Sequence, residues 1–310
     1  MAVAAIVIRA ALYLGLMLLF GLAAFGLHGL RGGERASGAV IGFRGWIVGA
    51  ALSSAALSSL ALVMLAASVA DIPLLAVDRA TLGALVWGTP AGTAWLVRMI
   101  ALAVAALAGI YAARAPVPAL TAACAAGGVA LGSLAWSGHG IMDDGVGGWV
   151  HLSADMIHLW AAGLWIGALL GLALLVARRQ ASDDTAHLML THHALARFAW
   201  TGSLIVAALL GSGLINAWFL VGLGGLPRLM DSTYGEVLVV KLALFASMLL
   251  MATSNRFRLT PALEQSTNGA GKGAALRNLR FSVGIEAGLG ITVLAIVAWL
   301  GTLEPPVAGG

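Results

Sequence analysis

The stretch GHGIMDDGVGGWVHLSADMIHLWAAGLWIGALL begins polar and ends apolar, and it carries His139, His151, Asp155 and His158 together with Met142 and Met156. Imidazole, carboxylate and thioether in one segment form a donor set that suits copper in either oxidation state better than magnesium or calcium. Zinc would also accept histidine and aspartate. Residues 151, 155 and 158 are spaced i, i+4, i+7 and share one face of a helix, with Met156 to the side. His151 and His158 then stand about 10 Å apart along the axis, whereas a metal–imidazole bond is about 2 Å. The spacing therefore predicts two stations, an outer one near His151 and the loop residue His139, and a deeper one near His158. Asp155 lies one turn from each, placed to ligate or to hold an imidazole in its tautomer. The bland alternative for His139 and His151 is hydrogen bonding to interfacial water. For Asp155 and His158 it is weaker, because an ionisable group inside a span costs roughly 2.5–3.5 kcal/mol on insertion scales.

The elements that must position these residues are membrane helices. Of the 310 residues, 61% are hydrophobic and 10% charged, against about 25% charged in a soluble domain, and mean hydropathy is +0.98. Apolar runs long enough to span the bilayer occur at about 4–27, 45–70, 94–113, 118–137, 150–176, 197–221, 236–254 and 281–303. The expected fold is an all-α integral membrane protein, a polytopic bundle of about eight transmembrane helices with no separate soluble domain. RGGERASG, DIPLLAVDRATLGALVWGTP (71–90), ARAPVP and NGAGKGAALRN read as connectors. Arg9 before the first run resembles a signal-peptide flank, but no small-residue cleavage site follows, and the run is read as a span.

Loops after the odd-numbered spans hold twelve Lys and Arg residues, the alternate loops only Arg79 and Arg228. The positive-inside rule then puts both termini, and the His139 loop, on the outer, periplasmic face. The basic balance, with a pI near 9.8, is expected to serve anionic lipid head groups rather than nucleic acid. The single cysteine, Cys124, excludes an intramolecular disulfide. No hydrolase triad, phosphate-binding loop or nucleotide fingerprint is present, and the chain is read as a non-enzyme.

TPAGTAWLVRMIAL resembles STYGEVLVVKLAL: Gly92 and Gly235 each precede a cation, Arg98 and Lys241, by six residues, and Pro118 and Pro261 follow each cation by 20. The pattern suggests two parallel four-helix repeats, 1–140 and 141–310, whose functional polar groups should face the seam between halves. Arg98 and Lys241 are expected to snorkel outward or to neutralise aspartates. Asn216 and Glu286 either line a path or fasten helices. His187, Met189, His192 and His193 sit in a segment read as an amphipathic connector, and Trp160 and Trp165 are read as packing residues.

The residues resemble the CopD (PcoD) family of copper-resistance membrane proteins in three patches: SGHG with DMIHLWAAGLWIGALL, RFAWTGSLIVAALLGSGLINAW, and TYGEVLVVKLALFASMLLMATSNRFRLTPAL. The resemblance extends over most of the chain beyond residue 85. It implies an eight-span inner-membrane protein that moves copper from periplasm to cytoplasm, with His139, Asp155 and His158 as copper-contacting or path residues. It also implies a separate periplasmic CopC-like partner docking on the outer loops. Two other readings stay open: a haem-carrying electron-transfer protein with Arg98 and Lys241 on propionates, and a copper chaperone or assembly factor using the outer site alone.

Overall fold

The structure, a computed structural model, describes residues 2–35, 41–137, 145–177, 185–229, 231–262 and 272–304. Its helices are α1 (Ala2–His28), α2 (Phe43–Val69), α3 (Arg79–Gly88), α4 (Pro90–Tyr111), α5 (Pro116–Gly132), α6 (Gly145–Ala177), α7 (Thr185–Leu220), α8 (Gly222–Leu229), α9 (Thr233–Ser254) and α10 (Lys272–Leu300). No strand occurs among the described residues. Seven of these helices are long and apolar enough to cross a membrane. The remaining expected span, α5, has 17 residues, or about 25 Å, and a 3-10 turn at Ala135–Ser137 extends it.

Two segments read as connectors are helical. In the first, Asp78 caps α3, its carboxylate accepting from Thr81 N (2.8 Å) and Thr81 Oγ1 (2.7 Å). These bonds, the backbone one foremost, hold the exposed carboxyl below its ordinary range. Leu85 of α3 then packs with Leu62 and Ala66 of α2. In the second, α7 begins at Thr185, twelve residues before the apolar run, because Ala194 and Leu195 enter the main core.

The bundle is built around α1 and α6. α1 packs on α2, α5, α6 and α10, and α6 on α1, α5, α7 and α10. Lipid tails are as apolar as leucine, so close van der Waals approach through small residues drives such contacts. Gly163, Gly167 and Gly171 recur every fourth residue of α6. A Cβ at Gly21 or Gly167 would collide with the backbone of the facing helix, so α1 and α6 touch main chain to main chain. Large apolar side chains point the other way: Ile100, Leu107 and Leu250 are 66%, 59% and 73% exposed, which in a membrane is a lipid-facing surface.

The two faces of the bundle differ in their cations. At one, Arg9 Nη1 donates to Gly301 O (2.6 Å), which joins the start of α1 to the end of α10. At the other, arginines donate to backbone carbonyls: Arg35 to Gly26 O and Leu27 O, Arg197 to Gly29 O, and Arg280 to Val176 O. These carbonyls end α1 and α6, where a helix leaves acceptors unpaired and favours positive charge.

A candidate cation path along α6

One local arrangement occurs twice and delivers a cation into the bundle about two turns from the start of α4 and of α9. Thr89 and Ser232 cap α4 and α9, their hydroxyls accepting from Gly92 N and Gly235 N, both at 3.1 Å. At Gly92 and Gly235 a side chain would strike backbone carbonyls of the preceding short helix, α3 or α8. Each arrangement therefore fixes where the residue six further on enters the bundle.

Arg98, 5% exposed, donates from Nε to Ser133 Oγ (2.9 Å), from Nη1 to Ser58 Oγ (3.1 Å) and from Nη2 to Ser133 O (3.3 Å). It fastens α2, α4 and α5 through neutral acceptors. Lys241 instead lies within electrostatic reach of Asp155 and His158.

The stripe on α6 faces α7. His151, 2% exposed, stacks on Phe219 with ring centroids 4.8 Å apart and 6° between planes. One turn inward, Asn216 Nδ2 donates to Asp155 Oδ1 (2.9 Å). Asn216 Oδ1 is buried with no hydrogen-bond partner among the described residues, an oxygen donor beside the carboxylate. Tyr13 of α1 and Tyr234 of α9 also feel the charge of Asp155, and Tyr13 feels that of Arg98 as well. Asp155 thus lies within electrostatic reach of α1 and α9 and is bonded to α7.

At the next level His158 Nδ1 lies 3.0 Å from Ser212 Oγ. The single hydroxyl proton of Ser212 is given to Ala208 O (2.6 Å), so the imidazole is the donor in this contact. The tautomer that follows carries its proton on Nδ1 and leaves Nε2 with the lone pair a metal needs.

Further inward the seam closes with Ala161, Trp165, Leu169, Ile205, Leu209 and Met248. Below that layer stands Glu286, 2% exposed. Trp165 Nε1 donates to Glu286 Oε1 (3.0 Å), and Asn255 Nδ2 donates to Oε2 (2.9 Å). Ser282 Oγ, 2.5 Å from Asn255 Oδ1, aims the amide. Asn255 begins a π-helical turn, Asn255–Leu259, a local widening often found at functional sites.

The expected residues thus divide. Asp155, His158, Asn216 and Lys241 gather between α6, α7 and α9. His151 lies outward of them. Met156 turns to α5, its Cε 3.2 Å from where a Gly132 Cβ would stand. His139 and Met142 lie outside the described residues. Among the described residues, no three His, Cys, Asp or Glu side chains are grouped to hold one ion. His187 is buried, 2.9 Å through Nε2 from Leu175 O at the end of α6, and His192 and His193 follow on the same helix with ring centroids 5.9 Å apart. Ser212, Trp165 and Asn255 are the partners that sequence reasoning valued too little. Their signal is a seven-residue period: 151, 158, 165 on α6, 219, 212, 205 on α7, and 234, 241, 248 on α9 continuing to 255 in the π-helical turn.

A family model described as Copper resistance protein D matches residues 192–300, and one described as Copper resistance protein D-like, N-terminal domain, matches residues 1–149. The chain is 42% identical to "Copper resistance protein D" of Pseudomonas syringae pv. tomato, over 98% of each chain. It is 31% identical to "Inner membrane protein YebZ" of Escherichia coli (strain K12), over 56% of this chain and 55% of that one. "Copper transport protein CutJ" of Bacillus subtilis (strain 168) is 28% identical over 51% of this chain and 26% of its own length. No solved structure matches.

Proposed function

Because the chain belongs to the Copper resistance protein D family, we propose that it carries copper ions across the inner membrane, from periplasm toward cytoplasm. Copper is the cargo. It enters at the outer face past His139, Met142 and His151 and pauses at a deeper station made of His158 Nε2, a carboxylate oxygen of Asp155 and the unsatisfied Oδ1 of Asn216. Lys241 is the resident counter-charge of Asp155, and an arriving cation takes its place.

The observation that carries this reading is the His158–Ser212 bond, which leaves Nε2 available as a ligand about one turn along α6 from Asp155. The printed names of YebZ and CutJ support the inner membrane and copper transport respectively. The arginine-rich loops gathered on one face support an orientation with that face inward and with both termini and the entry site in the periplasm. The doubled cap-and-cation arrangement supports two four-helix halves. A separate CopC-like copper-binding protein would deliver the ion by docking on the outer loops.

The test is copper uptake into vesicles holding the purified protein, preceded by elemental analysis and an absorption spectrum. Stoichiometric copper without a Soret band, and uptake lost in His158→Ala, is the expected result. A Soret band in the protein as isolated overturns it in favour of haem.

A further inference from the structure

Glu286 stands apart from the outer site and is not used by it. It is buried midway along α10, and its partners are aimed at it. Trp165 Nε1 is a donor only, and Asn255 is turned by Ser282 so that its amide N–H meets the second carboxyl oxygen. Both oxygens are therefore held by neutral donors, which fixes the carboxyl without neutralising it. A carboxylate kept in a span at an insertion cost of roughly 2.5–3.5 kcal/mol calls for a cation.

The fixed cations nearby are engaged elsewhere. Arg256 donates from Nη1 to Ala199 O (3.0 Å) and Ser203 Oγ (2.5 Å) of α7. Arg280 is turned onto Val176 O, and Arg258 is exposed. From α6 the next ionisable group on this face is His158, about 10 Å outward, and from α9 it is Lys241, two heptads outward. On α1, Arg9 and Tyr13 lie toward the outer end and His28 at the inner end, 2.7 Å through Nδ1 from Ala24 O. No group of three or more His, Cys, Asp or Glu side chains that could hold a metal ion includes Glu286 among the described residues. The cation that one carboxyl with neutral donors can take and give up is a proton. The hydrogen bonds also run in one direction, Ser282 donating to Asn255 and Asn255 to Glu286, with Ser282 one turn nearer the start of α10 and 5% exposed.

We propose that Glu286 is a proton-binding site facing the inner solution, loaded and emptied as copper passes the outer station. The proposal rests on the copper-carrying reading above and supplies its coupling ion. In the step, a carboxylate oxygen of Glu286 takes a proton from inner-side water to give the neutral acid. The same O–H bond breaks to return it, and no electron moves.

Two measurements on the full chain test this. Infrared difference spectra across pH read the protonated-acid carbonyl stretch. A band that titrates in the unaltered protein and is missing in Glu286→Gln is expected. A band that never changes with pH, or a Glu286→Gln spectrum identical to the parent, overturns the proposal. Glu286→Asp keeps a carboxyl and should keep a titrating band, which guards against a glutamine variant that fails to fold.

In vesicles with a pH dye inside, copper added outside should drive a proton signal that Glu286→Gln abolishes while equilibrium copper binding at the outer site is retained. Copper movement with the same proton signal in both proteins overturns the proposal alone. No copper movement by the unaltered protein overturns the transport reading and the coupling with it.

Discussion

Replacing Ser212 by alanine should weaken copper binding about tenfold without touching a ligand. The hydroxyl accepts the Nδ1 proton of His158 at 3.0 Å and passes its own proton to Ala208 O. Ala208 O keeps its helical bond from the backbone of residue 212, so the substitution costs only the imidazole its hydroxyl partner and leaves it the Leu209 backbone. A neutral hydrogen bond is worth about 0.5–1.5 kcal/mol net, and tenfold in affinity is about 1.4 kcal/mol. Loss of the outer partner of a metal-ligating histidine costs roughly 10- to 100-fold. The two ranges meet near tenfold. Ser212→Thr keeps the oxygen and should bind nearly as the parent does. His158→Ala should lose more than Ser212→Ala, and more than His151→Ala, because the deeper station has fewer substitutes. The assay is competition for copper against a chelator of known affinity, in detergent. Unchanged affinity in Ser212→Ala alongside a large loss in His158→Ala would refute the tautomer argument, and equal copper retention in the His151 and His158 variants would remove the two-station model.

Other outcomes follow from the same geometry. Gly167→Leu drives a side chain into the backbone of α1, and a cost above about 3 kcal/mol should appear as a much lower thermal midpoint in detergent; parental stability would mean that the α1–α6 seam is looser than described. Lys241→Gln removes a cation that copper must displace and should tighten binding on the order of tenfold, with less dependence on salt, whereas weaker binding would make the ammonium part of the site. With Cys124 replaced by serine, a cysteine at position 79 should react with an impermeant maleimide from the periplasmic side and one at position 114 only after permeabilisation. The reverse pattern would invert the assigned orientation.

The all-α membrane fold was legible because an apolar run of bilayer length is a one-dimensional signal. What failed were ends and connectors, where tertiary contacts decide. The α3 segment forms a helix on its Asp78 cap and on Leu62 and Ala66 of α2, and α7 starts early because Ala194 and Leu195 reach the core. The stripe His151, Asp155, His158 could be read from one helix alone. Its partners could not, since Asn216 and Ser212 belong to α7 and Lys241 to α9, and no local spacing says which helix faces which. In the sequence Glu286 reads as lining a path or fastening helices. Trp165 was read as packing because its ring satisfies that description fully, and the N–H that reaches Glu286 shows only when α10 is in place.

Under the copper-carrying reading, the position of the stripe on α6 says how an ion could advance. The seam inward of His158 is filled by Ala161, Leu209, Trp165, Ile205 and Met248, and a cation crossing it in a fixed bundle would shed its ligands in an apolar layer, which is prohibitively costly. Helices must shift, and the two sides of α6 resist unequally. Toward α1, Gly21, Gly163 and Gly167 lock main chain to main chain. Toward α7, the polar ties are Asn216 to Asp155 and His158 to Ser212. Those ties use the same side chains the ion would engage. An ion drawing Asp155 and Asn216 toward itself therefore competes with the hydrogen bond that pairs α6 with α7, and occupancy of the site becomes coupled to the position of α7. The glycine seam gives α6 a fixed backing against which that competition can act.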